Sequence, residues 1–170
     1  MQYEIVELAS FSGERCTIYS ILLKGRLDTL FDSFLRNNWG QYPEEMNDLL
    51  SRLQQIGHDD GLREGYYEPN EGKPGDGVCV LKNKAGGRLR LFFIRYGNDV
   101  IIIGGGGYKP KELRSWQDDP KLREQGDLII LLAEHIGRRI QNKDDLRWSN
   151  DLTHLLGDLK NYDDGKDERS

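Results

Sequence analysis

The chain has 170 residues, 36% hydrophobic and 31% charged, with a net charge of −5. That length suits one domain with appendages and a real hydrophobic core. The acidic balance argues against a protein that coats nucleic acid indiscriminately, and no apolar run approaches the roughly 20 residues of a membrane span. The first ten residues carry early acids and no basic stretch, so they do not read as a signal peptide. Cys16 and Cys79 are far apart, which speaks against a disulfide framework and for a reducing cytoplasm. His58, His135 and His154 are scattered without metal-ligand spacing, so neither a metal nor another cofactor is expected.

In chain order, residues 2–8 and 16–24 read as two strands with Gly13 between them. The apolar period then changes. Leu27, Leu30, Phe31, Phe34 and Leu35 recur at helical spacing, with Asp28 or Thr29 as the cap and Gly40 as the stop. Pro43, Glu44 and Glu45 open a second helix with a stripe of Met46, Leu49, Leu50, Leu53 and Ile56. Residues 57–77 form a glycine-rich loop that holds Arg63, Tyr66, Tyr67 and Lys73. Three hairpin-connected strands are expected at 78–82, 88–96 and 99–104. A long helix is expected from about residue 119 or 120 to 141, and an amphipathic helix over 150–161 through Leu152, Leu155, Leu156 and Leu159. The final nine residues have nothing to bury and read as disordered. The division is a domain over 1–142, including the extra N-terminal strand pair, and an acidic tail over 143–170.

The three-strand stretch carries seven bases (Lys82, Lys84, Arg88, Arg90, Arg95, Lys109, Lys111) against Asp99 alone. A basic sheet in an acidic chain points to a polyanionic partner. Strand alternation places Arg88, Arg90, Phe92, Ile94 and Tyr96 on one face. Arginines mixed with aromatics suit a phosphate backbone and stacked bases; the same pattern also suits a solvated face with cross-strand ion pairs. The run from Gly104 to Gly107 fits neither GxxxxGK[ST] nor GxGxxG. It is compatible with a phosphate cradle or with a bulged strand end.

The order of elements and the segment from about residue 78 to 136 resemble the RelE/ParE superfamily of toxin–antitoxin toxins, nearest its HigB-like branch. Arg88-Leu89-Arg90-Leu91 matches the central R-x-R-hydrophobic strand of that family, and Lys109-Pro110-Lys111 its closely spaced lysines. The resemblance implies an α+β fold: an antiparallel sheet with an N-terminal helical hairpin and a C-terminal helix packed on it. It implies a metal-independent endoribonuclease that cuts messenger RNA, often on the ribosome, and is neutralised by an antitoxin, typically a helix-turn-helix protein. Arg90, Lys109, Lys111 and Tyr108 would then be catalytic, and Arg63, Lys73, Arg88 and Arg95 would bind RNA. The alternative is a non-catalytic binding module or a gyrase-directed toxin.

Overall fold

Two apolar layers sandwich one mixed sheet. The computed structural model describes residues 1–84, 86–142 and 145–161. The chain runs β1 (Tyr3–Glu7), β2 (Thr17–Leu23), α1 (Leu30–Asn38), α2 (Pro43–Gln55), β3 (Tyr67–Glu68), β4 (Val78–Leu81), β5 (Leu89–Tyr96), β6 (Val100–Tyr108), α3 (Pro120–Gln141), β7 (Leu146–Trp148) and β8 (Leu155–Gly157). The main sheet has the order β1-β2-β6-β5-β4-β3, and β7 and β8 form a separate pair. Its neighbours are antiparallel except β2 and β6, which run parallel from Thr17↔Val100 to Ser20↔Ile103.

This architecture corrects the expected one. There is no N-terminal helical hairpin: two strands come first and α1 follows them. Nor is the sheet purely antiparallel. The reason lies in β2, where Ile18 points into one apolar layer and Tyr19 and Ile21 into the other, all with 2% exposure or less. A strand buried on both faces belongs inside a sheet rather than at its rim. Ser20 ties the start of α1 to this interior, since its hydroxyl donates to the Ile103 carbonyl and accepts from the Phe31 N–H.

The helices occupy opposite faces. Phe31 and Phe34 of α1 and Met46, Leu49 and Leu53 of α2 share one buried cluster with Leu89, Leu91 and Phe93 of β5, with α1 lying against β2 and β6. Leu122, Ile129, Leu132 and Ile136 of α3 cover Phe92 and Ile94. The caps are those the residue types favour. Thr29 and Asp32 form a reciprocal capping box on α1, and Asp119 accepts from the Leu122 N–H at the start of α3.

The expected helix over 150–161 does not form. Ser149, Asp151 and Thr153 bond one another in a tight turn, Leu152 adopts φ 64°, and the chain returns as β8. Leu155 enters the core, whereas Leu152 and Leu156 face outward, so the leucine spacing had mimicked a helical stripe. The disordered terminus expected for the last nine residues lies outside the described residues.

Both thiols are inert by burial. Burial, with Asp99 nearby, pushes Cys16 up to about 12; burial, partly opposed by Arg95, pushes Cys79 up to about 11. Thiol reagents attack the thiolate. Neither cysteine of the native protein should therefore react measurably with Ellman's reagent at pH 8, and two should titrate in guanidinium. Rapid native labelling would show that these sites open.

Two glycines of α3 should respond in opposite directions to alanine. A Cβ at Gly126 would fall among the ring atoms of Trp116, which is wedged edge-on against Phe92 at 5.0 Å and cannot yield. Overpacking of this kind costs about 1–3 kcal/mol, more than the roughly 1 kcal/mol alanine gains in a helix. Gly137 meets nothing within 4 Å, so there the helical gain stands alone. Thermal denaturation should show Gly126→Ala melting lower than the parent and Gly137→Ala higher.

Candidate functional site

The cations of the basic stretch divide into one convergent group and several dispersed residues. Arg88 and Arg90 stand at the start of β5, and Lys109 follows β6 directly opposite, its N–H donating to the Arg88 carbonyl. The loop before β5 is fixed by Glu45 of α2, whose carboxylate accepts from the backbone N–H groups of Arg88 and Leu89. Two adjoining concavities of about 280 and 240 Å³ share Glu68, Val80 and Arg90. Arg88 and Lys82 border the first; Lys109, Arg114, Glu71 and Trp116 border the second.

Arg90 is half-buried between them. Its Nη1 donates to the carbonyls of Gly87 and Leu89 at 3.0 and 3.1 Å, which orients the guanidinium and leaves its other N–H groups for a ligand. Burial, then the neighbouring Arg88, pulls its pKa down, while Glu45, Glu71 and Glu68 oppose the shift. It stays charged throughout the physiological range. Lys109 is 9% exposed, and its ammonium donates to the Leu113 carbonyl. Burial first, then Arg90 and Arg88, lowers its pKa as well. Burial is the larger cause in both; the remainder comes from cations crowded together, an arrangement that an anion between them would relieve.

The carboxylates at the notch are restrained too. Glu68 pairs with Lys82 at 2.9 Å, and Glu71 accepts from the Trp116 indole at 3.3 Å. Trp116 itself is held by Phe92 and by Gly126 of α3, so Arg114, two residues earlier, is carried to the rim by a packed anchor.

The other expected site residues lie elsewhere. Arg95 shares the opposite face of β5, where it bonds Gly97 and Asn98 and lies 5.5 Å from the centre of the Tyr67 ring. Arg63 pairs with Asp60 at 3.3 Å, and Lys73 with Glu134 at 3.4 Å; neither borders the notch. Tyr108 packs toward α1 and α2, its ring stacked on Tyr42 at 4.3 Å, and so turns away from Arg90. Lys111 is exposed in the turn after β6. The open arginine–aromatic face is also absent, because α3 buries Phe92 and Ile94 completely.

The glycine run proves to be strand rather than loop. Gly104 to Gly107 complete β6, with a register shift opposite Leu91 and Phe93. Side chains there would strike Ile129 and Gln125 of α3 and the Arg90 carbonyl, so glycine is what lets the helix and β5 approach so closely.

Among the described residues, no helix is long and apolar enough to cross a membrane. Compared with protein-family models, curated proteins and solved structures, the chain matches none of them.

Proposed function

We propose that the chain is a toxin-like endoribonuclease, akin in activity to the RelE/ParE toxins, that cuts messenger RNA in the cytoplasm without a metal and is neutralised by an antitoxin. One observation carries this reading: Arg88, Arg90, Lys109 and Arg114 line two adjoining concavities that meet at Arg90 beside Glu68, with Glu71 in the second, in a chain of net negative charge. Arg90 and Arg88 suit the non-bridging oxygens of a phosphodiester. A carboxylate, Glu68 or Glu71, takes the proton of the attacking 2′-hydroxyl. The 2′-oxygen then bonds to phosphorus, the P–O5′ bond breaks, and Lys109 returns a proton to the leaving oxygen. Its ammonium is more acidic than usual, which suits that role. The products are a 2′,3′-cyclic phosphate and a 5′-hydroxyl.

The test is incubation of end-labelled RNA with purified protein in EDTA, alongside expression in bacteria. Growth arrest with cyclic-phosphate ends on cleaved transcripts is expected; intact RNA in a growing culture would rule the nuclease out. A second reading, a notch that holds phosphate without chemistry, has its own observation: Lys109 is already engaged by Leu113 and Glu71 by Trp116. It predicts RNA bound and recovered intact.

A further inference from the structure

Beside the notch, on the other side of β6, lies a second and larger cleft of about 920 Å³. Gly106, Gly107 and Tyr108 border it from the strand, Asn37 and Gln41 from the corner between α1 and α2, and Gln125 from α3. The register of β6 decides what its floor offers. The Lys109 N–H bonds the Arg88 carbonyl, and Arg90 is the partner of Gly107, so the polar groups of residues 107 and 109 turn toward β5. Those of Gly106 and Tyr108 therefore turn the other way. On that side β2 pairs with β6 only as far as Ile103. Beyond Ile103, the outward edge of β6 at Gly106 and Tyr108 therefore has no strand partner among the described residues. A half-buried strand edge left unpaired in a cleft is costly unless a ligand or water completes it.

The remaining walls mix amides and rings with a charged rim from the start of α3, where Lys121 stands beside Asp119 and Glu124. Asn37, Gln41 and Gln125 each carry a donor and an acceptor on a planar amide, and the parallel, half-exposed rings of Tyr42 and Tyr108 close one end. Paired donors and acceptors next to a ring stack match the edge and face of an unpaired nucleobase. We propose that this cleft is a base-reading subsite for single-stranded RNA whose phosphate lies on Arg90 and Lys109. The inference rests on the RNA reading of the notch. Continuity supports it: Gly107 is the cross-strand partner of Arg90, and Tyr108 precedes Lys109. The notch then grips the backbone and the cleft discriminates among bases.

The test uses 5′-fluorescein octamers of A, U and C with the full chain, read by anisotropy. Asn37 and Gln41 are exposed, so the double variant Asn37→Ala/Gln41→Ala keeps the fold. The parent should bind the three octamers with affinities spread over about tenfold, and the double variant should compress that spread to within about threefold. Arg90→Ala should instead weaken all three alike and reduce the salt slope by about 1. An unchanged spread in the double variant, or equal affinities in the parent, overturns the base subsite while leaving the notch intact. Loss of the Arg90 effect overturns the notch reading. An extended peptide that competes for the cleft with no change in base preference would assign the open edge to protein and overturn the proposal.

Discussion

Arg139→Ala should destabilise the protein by about 3 kcal/mol, the low end of the cost of breaking a buried ion pair because the stranded Asp145 keeps 33% of its side chain exposed, and lower its melting temperature by about 10 °C. The Arg139 side chain is 6% exposed and holds three parts of the fold together. Its Nε and Nη2 meet the two oxygens of Asp145 at 2.7 and 2.9 Å, its Nη1 donates to the Tyr3 hydroxyl at 3.2 Å, and its Nη2 also donates to the Asp158 carbonyl. Thus α3, β1 and the C-terminal β7–β8 hairpin share one guanidinium. Truncation leaves the Asp145 carboxylate without its cation and a buried tyrosine hydroxyl with His135 alone, 2.8 Å away. Replacing both ion partners with apolar residues, Arg139→Met with Asp145→Leu, should recover much of the loss, because no unpaired charge remains. A double variant as unstable as Arg139→Ala would mean that the hydrogen bonds to Tyr3 and Asp158, rather than the charge pair, carry the stability.

The same cluster sets an acid limit. Burial above all, then nearby cations, lowers the His135 pKa in the fold, so the unfolded chain binds that proton more readily. Stability from this group is complete above its unfolded pKa of about 6.5 and falls as pH drops below it. Hydrogen bonds from Arg139 hold Asp145 below its ordinary value, which extends the loss below about pH 4. Both contributions share a sign, so acid denaturation should come in two steps, and Arg139→Ala should weaken the second.

Much of this molecule can be read from local pattern, and the failures share a cause. The helices at Leu30–Asn38, Pro43–Gln55 and Pro120–Gln141 carry start signals (a Thr29 capping box, Pro43 with two glutamates, an Asp119 cap) and stripes that their residues announce. The β4–β5–β6 run follows from alternating branched and aromatic residues between turns. Long-range pairing is not local. Nothing in residues 17–23 says that they lie parallel to a strand some 80 positions later, yet that pairing makes the sheet mixed and places β2 between β1 and β6. Strand alternation correctly put Arg90 and Phe92 on one face, but it could not foresee that α3 would bury one and spare the other. Arg114 passed unnoticed because its position depends on Trp116 packing against Phe92; an aromatic two residues after an arginine, in a loop beside a basic sheet, was the available signal. Asn37 and Gln41 gave no signal at all, since their meaning comes from the unpaired edge across the cleft.

Arg90→Ala should reduce RNA cleavage by about 10²–10³, the usual cost of losing one preorganised charge donor at a transition state, and should abolish growth arrest on expression. The size follows from position. Arg90 borders both halves of the notch, and backbone carbonyls of its own loop already orient its guanidinium, so little reorganisation is needed as charge builds on the phosphate. Lysine at this position keeps the charge but loses the planar fork, so Arg90→Lys should restore binding more fully than turnover. Arg95→Ala is the internal control. It removes an equal charge from the same strand but from the opposite face, and it should leave cleavage within about twofold apart from the screened, long-range loss of attraction. If Arg95→Ala is as damaging as Arg90→Ala, the protein responds to total charge and the notch has no special role. If neither change affects RNA, then Arg90 is there to fasten the loop before β5, and the hydrogen bonds to Gly87 and Leu89 are its whole purpose.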